Sequence, residues 1–194
     1  STPSNSSAAS DVYKRQLHFW EEPCISGDAG SGAVFFSGCP LHCVFCQNEN
    51  IANGTVGKEI SLERLVDIFL ELQEKRANNI NLVTPGHFVP QIVKALDQAR
   101  REGLTLPVVY NTSSYETVDT IKMLEGYVDI YLPDFKYMSP VLSKKYSHAP
   151  DYAEVAKAAI AEMVRQTGKA VFVNGDEDNL ILSGTIVRLS LIHI

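Results

Sequence analysis

Residues 30–48 read GSGAVFFSGCPLHCVFCQN and join a short apolar run to a group of cysteines. Residues 33–36 (AVFF) are continuously apolar and are bounded by Gly32 and by Ser37, a pattern typical of a buried β-strand. Cys39, Cys43 and Cys46 follow with the spacing C-x3-C-x2-C. We therefore expect three thiols on one loop, directly after a buried strand.

The alternation of apolar strands with amphipathic helices continues along the chain. Ser61 is positioned to cap a first helix, Pro90 lies near the start of a second, Ser114 can cap a third and Tyr152 opens a longer one. The further strands are predicted at residues 79–83, 107–110, 128–132, 170–173 and 185–187. Apolar strands joined by helices predict an α/β fold with a parallel sheet covered by helices, either an open doubly wound sheet or part of a barrel.

Composition narrows the classes of protein. The chain has 194 residues, 17 Lys and Arg against 23 Asp and Glu, and a net charge of −6. No apolar run approaches the ~18 residues that span a bilayer, and an acidic chain is poorly suited to binding phosphates. Four cysteines are too few for a disulfide-stapled secreted scaffold. We expect a cytoplasmic protein with a metal site, and no membrane or nucleic-acid partner.

The two ends differ in character from the rest of the chain. Residues 6–16 (SSAASDVYKRQ) and residues 189–194 (LSLIHI) look like in-frame translations of a sequencing adaptor. We expect residues 1–16 and 189–194 to be adaptor-derived tails, with a natural disordered tail as the alternative. The native domain would then be residues 17–188, incomplete at both ends.

The cysteine spacing points to a metal centre with an open position. Three thiolates are one short of a closed site, and an iron–sulfur cluster held by three cysteines leaves one iron free for another ligand. His42 could complete a Cys3His zinc site, although its adjacency to Cys43 strains simultaneous binding. Cys24 stands apart in the sequence and is more typical of a packed small hydrophobic residue.

Polar residues gather where each predicted strand ends. In parallel α/β folds these ends share one edge, where ligands bind. Turn formation and helix capping are the more usual explanation for any one of these groups, and a salt bridge between Asp134 and Lys136 is as consistent with the spacing as a ligand contact. The residues concerned are Thr84, Asn111, Thr112, Asp134 and Lys136.

The C-x3-C-x2-C motif of Cys39, Cys43 and Cys46, with Phe45 before the third cysteine, resembles the signature of the radical S-adenosylmethionine (SAM) superfamily. Further strings are similar to the group of pyruvate formate-lyase activating-enzyme-like proteins within it. They are residues 20–27 (WEEPCISG), 81–92 (NLVTPGHFVPQI), 108–116 (VVYNTSSYE) and 129–137 (DIYLPDFKY), besides residues 30–48.

The resemblance implies a partial (β/α)6 barrel of the radical SAM type, truncated, with a [4Fe-4S] cluster bound by Cys39, Cys43 and Cys46. SAM would bind the fourth iron. An external low-potential electron donor, of the flavodoxin or ferredoxin type, would drive cleavage of SAM to a 5′-deoxyadenosyl radical that abstracts hydrogen from a substrate. A glycine of a partner protein is one candidate for that substrate.

The resemblance also implies which residues bind the cofactor. Phe45 would lie near the adenine, with an ordinary core aromatic as the alternative, and Thr84 stands where the superfamily often has Gly-Gly-Glu. The full implied set is Phe45, Thr84, Asn111, Thr112, Asp134 and Lys136. The alternative function class is a non-enzymatic iron–sulfur or zinc module with a redox or structural role.

Overall fold

The computed structural model describes residues 10–176 and 179–189, which contain nine strands and seven α-helices. The strands are β1 Ser10–His18, β2 Ser31–Phe36, β3 Lys58–Ile60, β4 Ile80–Val83, β5 Val108–Thr112, β6 Ile130–Phe135, β7 Val171–Phe172, β8 Ile181–Thr185 and β9 Arg188–Leu189. The helices are α1 Pro23–Ser26, α2 Glu49–Ala52, α3 Leu62–Glu74, α4 Val89–Arg101, α5 Val118–Lys122, α6 Pro140–Ser147 and α7 Tyr152–Thr167.

The strands form one mixed sheet in the order β3-β1-β2-β4-β5-β6-β8-β7, with β9 also beside β6. The five neighbours β2, β4, β5, β6 and β8 are parallel, whereas β1 runs antiparallel to β2 and β3, and β7 runs antiparallel to β8. This confirms the α/β class and matches a partial (β/α) barrel. Within the described residues the sheet does not close.

Side chains alternate between the two faces of the sheet along each strand, and packed layers bury both faces. Tyr110 packs outward into the layer formed with α3, α4 and α7, while its neighbour Val109 packs on the inner face. On that inner face Ile25, from α1, covers the base of the parallel strands. Burying a side chain of this size stabilises the fold by about 1.5–3 kcal/mol, so the two layers fix the sheet that carries the loops.

Three predicted helix starts are confirmed, and one of them is Tyr152, at which α7 begins. The Ser61 hydroxyl accepts a hydrogen bond from the Arg64 N–H at 3.2 Å, and α3 begins at the next residue. Pro90 lies in the first turn of α4, where its missing N–H costs nothing. Within the described ranges, no helix is both long and apolar enough to cross a membrane.

The prediction that Ser114 caps the third helix is wrong. Thr117 caps α5 by accepting from the Thr120 N–H, and Ser114 is buried with a φ of 67°. The Ser114 hydroxyl instead donates to the Asp134 carbonyl at 2.6 Å. Ser114 therefore joins the end of β5 to the end of β6, because both loops meet at the same edge.

The later strands also differ from prediction. β8 begins at Ile181, so only Thr185 of the predicted strand 185–187 belongs to it, and β7 is shorter than predicted. Gly184 lies within β8. A Cβ there would lie 3.0 Å from the Ala170 Cα, so the glycine permits a close approach of two backbones.

β1, β3 and α6 have no counterpart among the predicted elements. β1 includes residues 10–16 of the segment predicted to be adaptor-derived, and it pairs with β2 from His18 opposite Ser31. Residue 189 lies in β9, and the rest of the predicted tails, residues 1–9 and 190–194, lies outside the described residues. The origin of these segments stays a prediction, because strand pairing uses backbone groups that every sequence carries.

Candidate functional site

The loop after β2 carries the three cysteines and is anchored at both ends. The Cys39 N–H donates to the Ala52 carbonyl of α2 at 2.9 Å, and the Val44 N–H donates to the Tyr146 carbonyl of α6 at 2.9 Å. Gly38 enters the loop with a φ of 94°, a conformation that favours glycine. These contacts hold the loop over the carboxyl ends of the parallel strands.

The three thiols are half-buried and line one cavity of about 910 Å³. Burial raises the pKa of the Cys39 thiol, backbone hydrogen bonds at Leu41 and His42 lower it, and the nearby Cys43 and Cys46 raise it. A cavity of this size is in the range that binds a small-molecule ligand.

All nine side chains predicted for the site line this cavity. The structure therefore brings together residues from the loop after β2 and from the ends of β4, β5 and β6, as expected for strands whose carboxyl ends share an edge. Their individual roles stay predictions. They are Cys39, Cys43, Phe45, Cys46, Thr84, Asn111, Thr112, Asp134 and Lys136.

A charged network forms the polar side of the cavity. Lys136 Nζ lies 2.6 Å from Asp134 Oδ2, so the salt bridge suggested by the spacing is present and also faces the cavity. Arg188 donates through Nε to Asp134 Oδ1 at 2.8 Å and through Nη2 to Asn111 Oδ1 at 2.6 Å. Arg188 Nη1 also lies 3.3 Å from Glu21 Oε2. Arg188 Nε is also 4.0 Å from Glu22 Oε1, so three carboxylates and two cations meet beside the cysteine loop.

Sequence reasoning missed Glu21 and Arg188. Burial raises the pKa of Glu21, and the Arg188 guanidinium opposes that rise. Glu21 lies between β1 and α1, and Arg188 belongs to the two-residue strand β9, directly after the predicted strand 185–187. The available signal was that Glu21 stands in residues 20–27, one of the strings that carry the family resemblance.

Thr112 is held by a buried carboxylate behind the cavity wall. Its hydroxyl donates to the Glu116 carboxylate, which also accepts from Tyr110 at 2.6 Å. Burial raises the pKa of Glu116, while its bonds to Thr112 and Tyr110 lower it. Thr84 has a φ of 56° and donates its N–H to the Asn111 carbonyl at 2.9 Å, so the wall of the cavity includes a strained backbone position.

Phe45 is not part of the closed core, because 42% of its surface is exposed. Its ring meets Tyr137 edge to face, with 6.4 Å between the ring centroids. The remaining ring surface borders the cavity, where a planar group can stack on it.

The geometry does not favour the zinc alternative. His42 is exposed, and its Nδ1 lies 2.9 Å from Asn53 Oδ1. Across residues 10–176 and 179–189, no three His, Cys, Asp or Glu side chains converge to hold a single metal ion. The thiolates of a [4Fe-4S] cube each bind a different iron, so they need no common point. Cys24 packs against the apolar group around Ile25, as predicted.

Comparison with known proteins agrees with this arrangement. The family model of the radical SAM superfamily matches residues 33–178. An uncharacterized protein of Methanocaldococcus jannaschii is 31% identical over 147 residues, which are 73% of this chain and 42% of that relative. The chain thus spans less than half the length of the relative it matches. The cysteine motif, the sheet and the family match together show that the chain belongs to the radical SAM superfamily, whose members bind a [4Fe-4S] cluster and SAM and require an external electron donor.

Proposed function

We propose that this chain binds a [4Fe-4S] cluster through Cys39, Cys43 and Cys46 and cleaves SAM reductively to a 5′-deoxyadenosyl radical. The observation that carries the proposal is that these three thiols line the same cavity as the polar ends of the parallel strands. When bound, the cluster supplies one low-potential electron for that cleavage.

The chain's own residues bind and orient the ligand. Cys39, Cys43 and Cys46 would hold the cluster and would leave one of its irons open for a further ligand. Asp134 and Lys136 present opposite charges at the cavity wall, which suits a zwitterionic ligand. The exposed ring of Phe45 offers a surface for the adenine.

The residues of the site suit a [4Fe-4S] cluster and SAM in two respects, the chemistry of the ligands and the space in the cavity. Thiolates are the ligands that iron–sulfur clusters use, and the half-buried Cys39 and its neighbours sit where bulk water is partly excluded. The cavity of about 910 Å³ leaves room for a nucleoside beside the cysteine loop.

Anaerobic reconstitution with iron and sulfide tests the proposal. We expect four irons per wild-type chain and formation of 5′-deoxyadenosine from SAM under dithionite. Cys43→Ser should lose both the cluster and the product. Cys24→Ser is the matched control, because Cys24 packs at the inner apolar face, outside the residues lining the cavity, and should retain both.

Two outcomes would overturn this assignment. One is a single tetrahedral metal ion in place of the cluster. The other is loss of the cluster in Cys24→Ser with retention in Cys43→Ser, which would place the metal centre elsewhere.

As the target of hydrogen abstraction we propose a glycine of a partner protein, with the reaction taking place in the cytoplasm. The support is the similarity of residues 20–27, 81–92, 108–116 and 129–137 to the activating-enzyme-like group. Incubation with a glycyl-radical protein from the same genome, SAM and reductant should produce a glycyl-radical EPR signal on that protein. Absence of this EPR signal from the partner protein, together with turnover of a small molecule, would contradict the proposed target.

A further inference from the structure

A buried hydroxyl of α6 contacts one of the three cysteines. The Ser147 hydroxyl donates to Cys43 Sγ at 2.9 Å, and Ser147 is 1% exposed. The contact joins two segments far apart in sequence. It lies beside the hydrogen bond from the Val44 N–H to the Tyr146 carbonyl, so the end of α6 is fixed against the cysteine loop by two adjacent bonds.

Proton counting gives the direction of the next hydrogen bond. Tyr137 Oη lies 2.7 Å from Ser147 Oγ, and distance alone leaves either oxygen as the donor. A serine hydroxyl has one proton, and that proton is directed at Cys43. Tyr137 must therefore donate to Ser147, and the two hydroxyl dipoles point in series toward the sulfur.

The pair is shielded from solvent. Tyr137 is 1% exposed and packs edge to face on Tyr152, at 5.4 Å between ring centroids. In such surroundings a hydrogen bond is electrostatically stronger than in water, and bonds in series polarise each other.

We infer that Tyr137 and Ser147 act as a positioning pair that raises the reduction potential of the cluster bound through Cys43. The inference rests on the proposed function. A hydrogen bond to a thiolate favours the more negative, reduced state of a cluster, and such bonds are one of the levers that set its potential. Within the described residues, Cys43 is the one of the three cysteines whose sulfur accepts a side-chain hydroxyl.

The test is an EPR-monitored redox titration of the reconstituted protein. Ser147→Ala removes the donor, so we expect its midpoint potential to become more negative than that of wild type. Tyr137→Phe leaves the Ser147 donor in place and removes only the hydrogen bond that polarises it, so a smaller shift of the potential in the same direction is expected. Ser147→Thr retains a hydroxyl and should return the potential toward wild type.

Ser143→Ala is the matched control. Ser143 lies on the same helix and is also 1% exposed, but its hydroxyl donates within α6, to the Pro140 carbonyl at 3.2 Å. A role limited to helix packing would affect both serine variants alike, whereas a role at the sulfur affects the potential of Ser147→Ala alone.

The possible outcomes distinguish a failure of this inference from a failure of the proposed function. Equal potentials for Ser147→Ala and Ser143→Ala overturn the inference while the cluster assignment stands. If Ser147→Ala fails to assemble a cluster, Tyr137→Phe decides, and a wild-type potential in that variant overturns the inference. If wild type assembles no cluster, the proposed function fails and the inference fails with it.

Discussion

Arg188 and Asp134 form a 2.8 Å hydrogen bond between Nε and Oδ1 that ties β9 to the end of β6. The two residues are far apart in sequence but adjacent in register, since Asp134 stands opposite Arg188 in the strand pair. This bond completes one side of the cavity wall.

Replacing Arg188 should destabilise the fold. Arg188→Ala leaves Asp134 and Glu21 without a shared cation at a part-buried position, and hydrogen bonds to charged groups contribute about 1.5–3 kcal/mol. Urea unfolding measures the loss. Arg101→Ala is the control, because the Arg101 side chain is 73% exposed and its ion pair with Asp97 should contribute under about 1 kcal/mol. Equal losses would mean that the cavity network adds no stability.

Neutralising Asp134 should weaken SAM binding without removing the cluster. Asp134→Asn preserves the shape but leaves Lys136 and Arg188 without their shared carboxylate, so the charge pattern facing the ligand changes. Equilibrium dialysis of the reconstituted protein against SAM measures the affinity, and iron content measures the cluster. Asp129→Asn is the control, because Asp129 lies just before β6, at the other end of that strand, and accepts from the Val108 N–H. Unchanged affinity in Asp134→Asn would remove Asp134 from the binding residues.

Glu116 should make stability fall as the pH rises. Burial raises its pKa in the folded state, so the folded protein holds this proton more tightly than the unfolded chain does. Its contribution is complete below the ordinary glutamate pKa of about 4.3 and is lost as the pH rises through the folded-state value. The free energy of unfolding of wild type relative to Glu116→Gln should therefore decline with rising pH.

Glu71 is the control, because its contribution to the free energy of unfolding changes with pH in the opposite direction. The hydrogen bond from Arg64 lowers the pKa of Glu71, so its contribution is present above the ordinary pKa and is lost as the pH falls. If the difference between wild type and Glu116→Gln stayed constant with pH, Glu116 would not be the buried titrating group.

Tyr152 should stabilise the strand ends through its hydroxyl. Tyr152 is fully buried; its Oη accepts from the Lys136 N–H at 3.0 Å and lies 2.9 Å from the Ser113 and Asp134 carbonyls. Tyr152→Phe removes the acceptor of the Lys136 N–H and the hydroxyl beside the two carbonyls, of which the Asp134 carbonyl keeps its bond from Ser114. The expected cost is about 1–3 kcal/mol, measurable by thermal or urea unfolding. Tyr146→Phe, at a half-buried tyrosine on α6, is the control and should change stability little. Equal stabilities of Tyr152→Phe and Tyr146→Phe would contradict a stabilising role for the Tyr152 hydroxyl.

Local signals in the sequence were enough for four of the five parallel strands, β2, β4, β5 and β6. The apolar run at residues 33–36 and the cap at Ser61 act over a few residues, so composition and spacing predict them. The cysteine spacing also predicts that three thiols lie together on one loop. The placement of these thiols beside Asp134 then follows from the shared edge of parallel strands.

The elements that sequence reasoning missed depend on distant partners. β1 is stabilised by pairing with β2 and β3, and its own alternation is weak. Arg188 reaches the cavity only because β9 pairs with β6, and Ser147 reaches Cys43 only because α6 folds back onto the loop. No local pattern encodes such contacts, which is why tertiary context overrides propensity at these positions.

Because Asp134 is shared by Lys136 and Arg188, this carboxylate keeps one cation when the other is drawn away, and Arg188 has a second counterion in Glu21. An incoming molecule with its own ammonium and carboxylate can exchange partners with this trio one at a time. Asp134 and Arg188 then each keep a partner during the exchange, which lowers the cost of moving charge at this part-buried position.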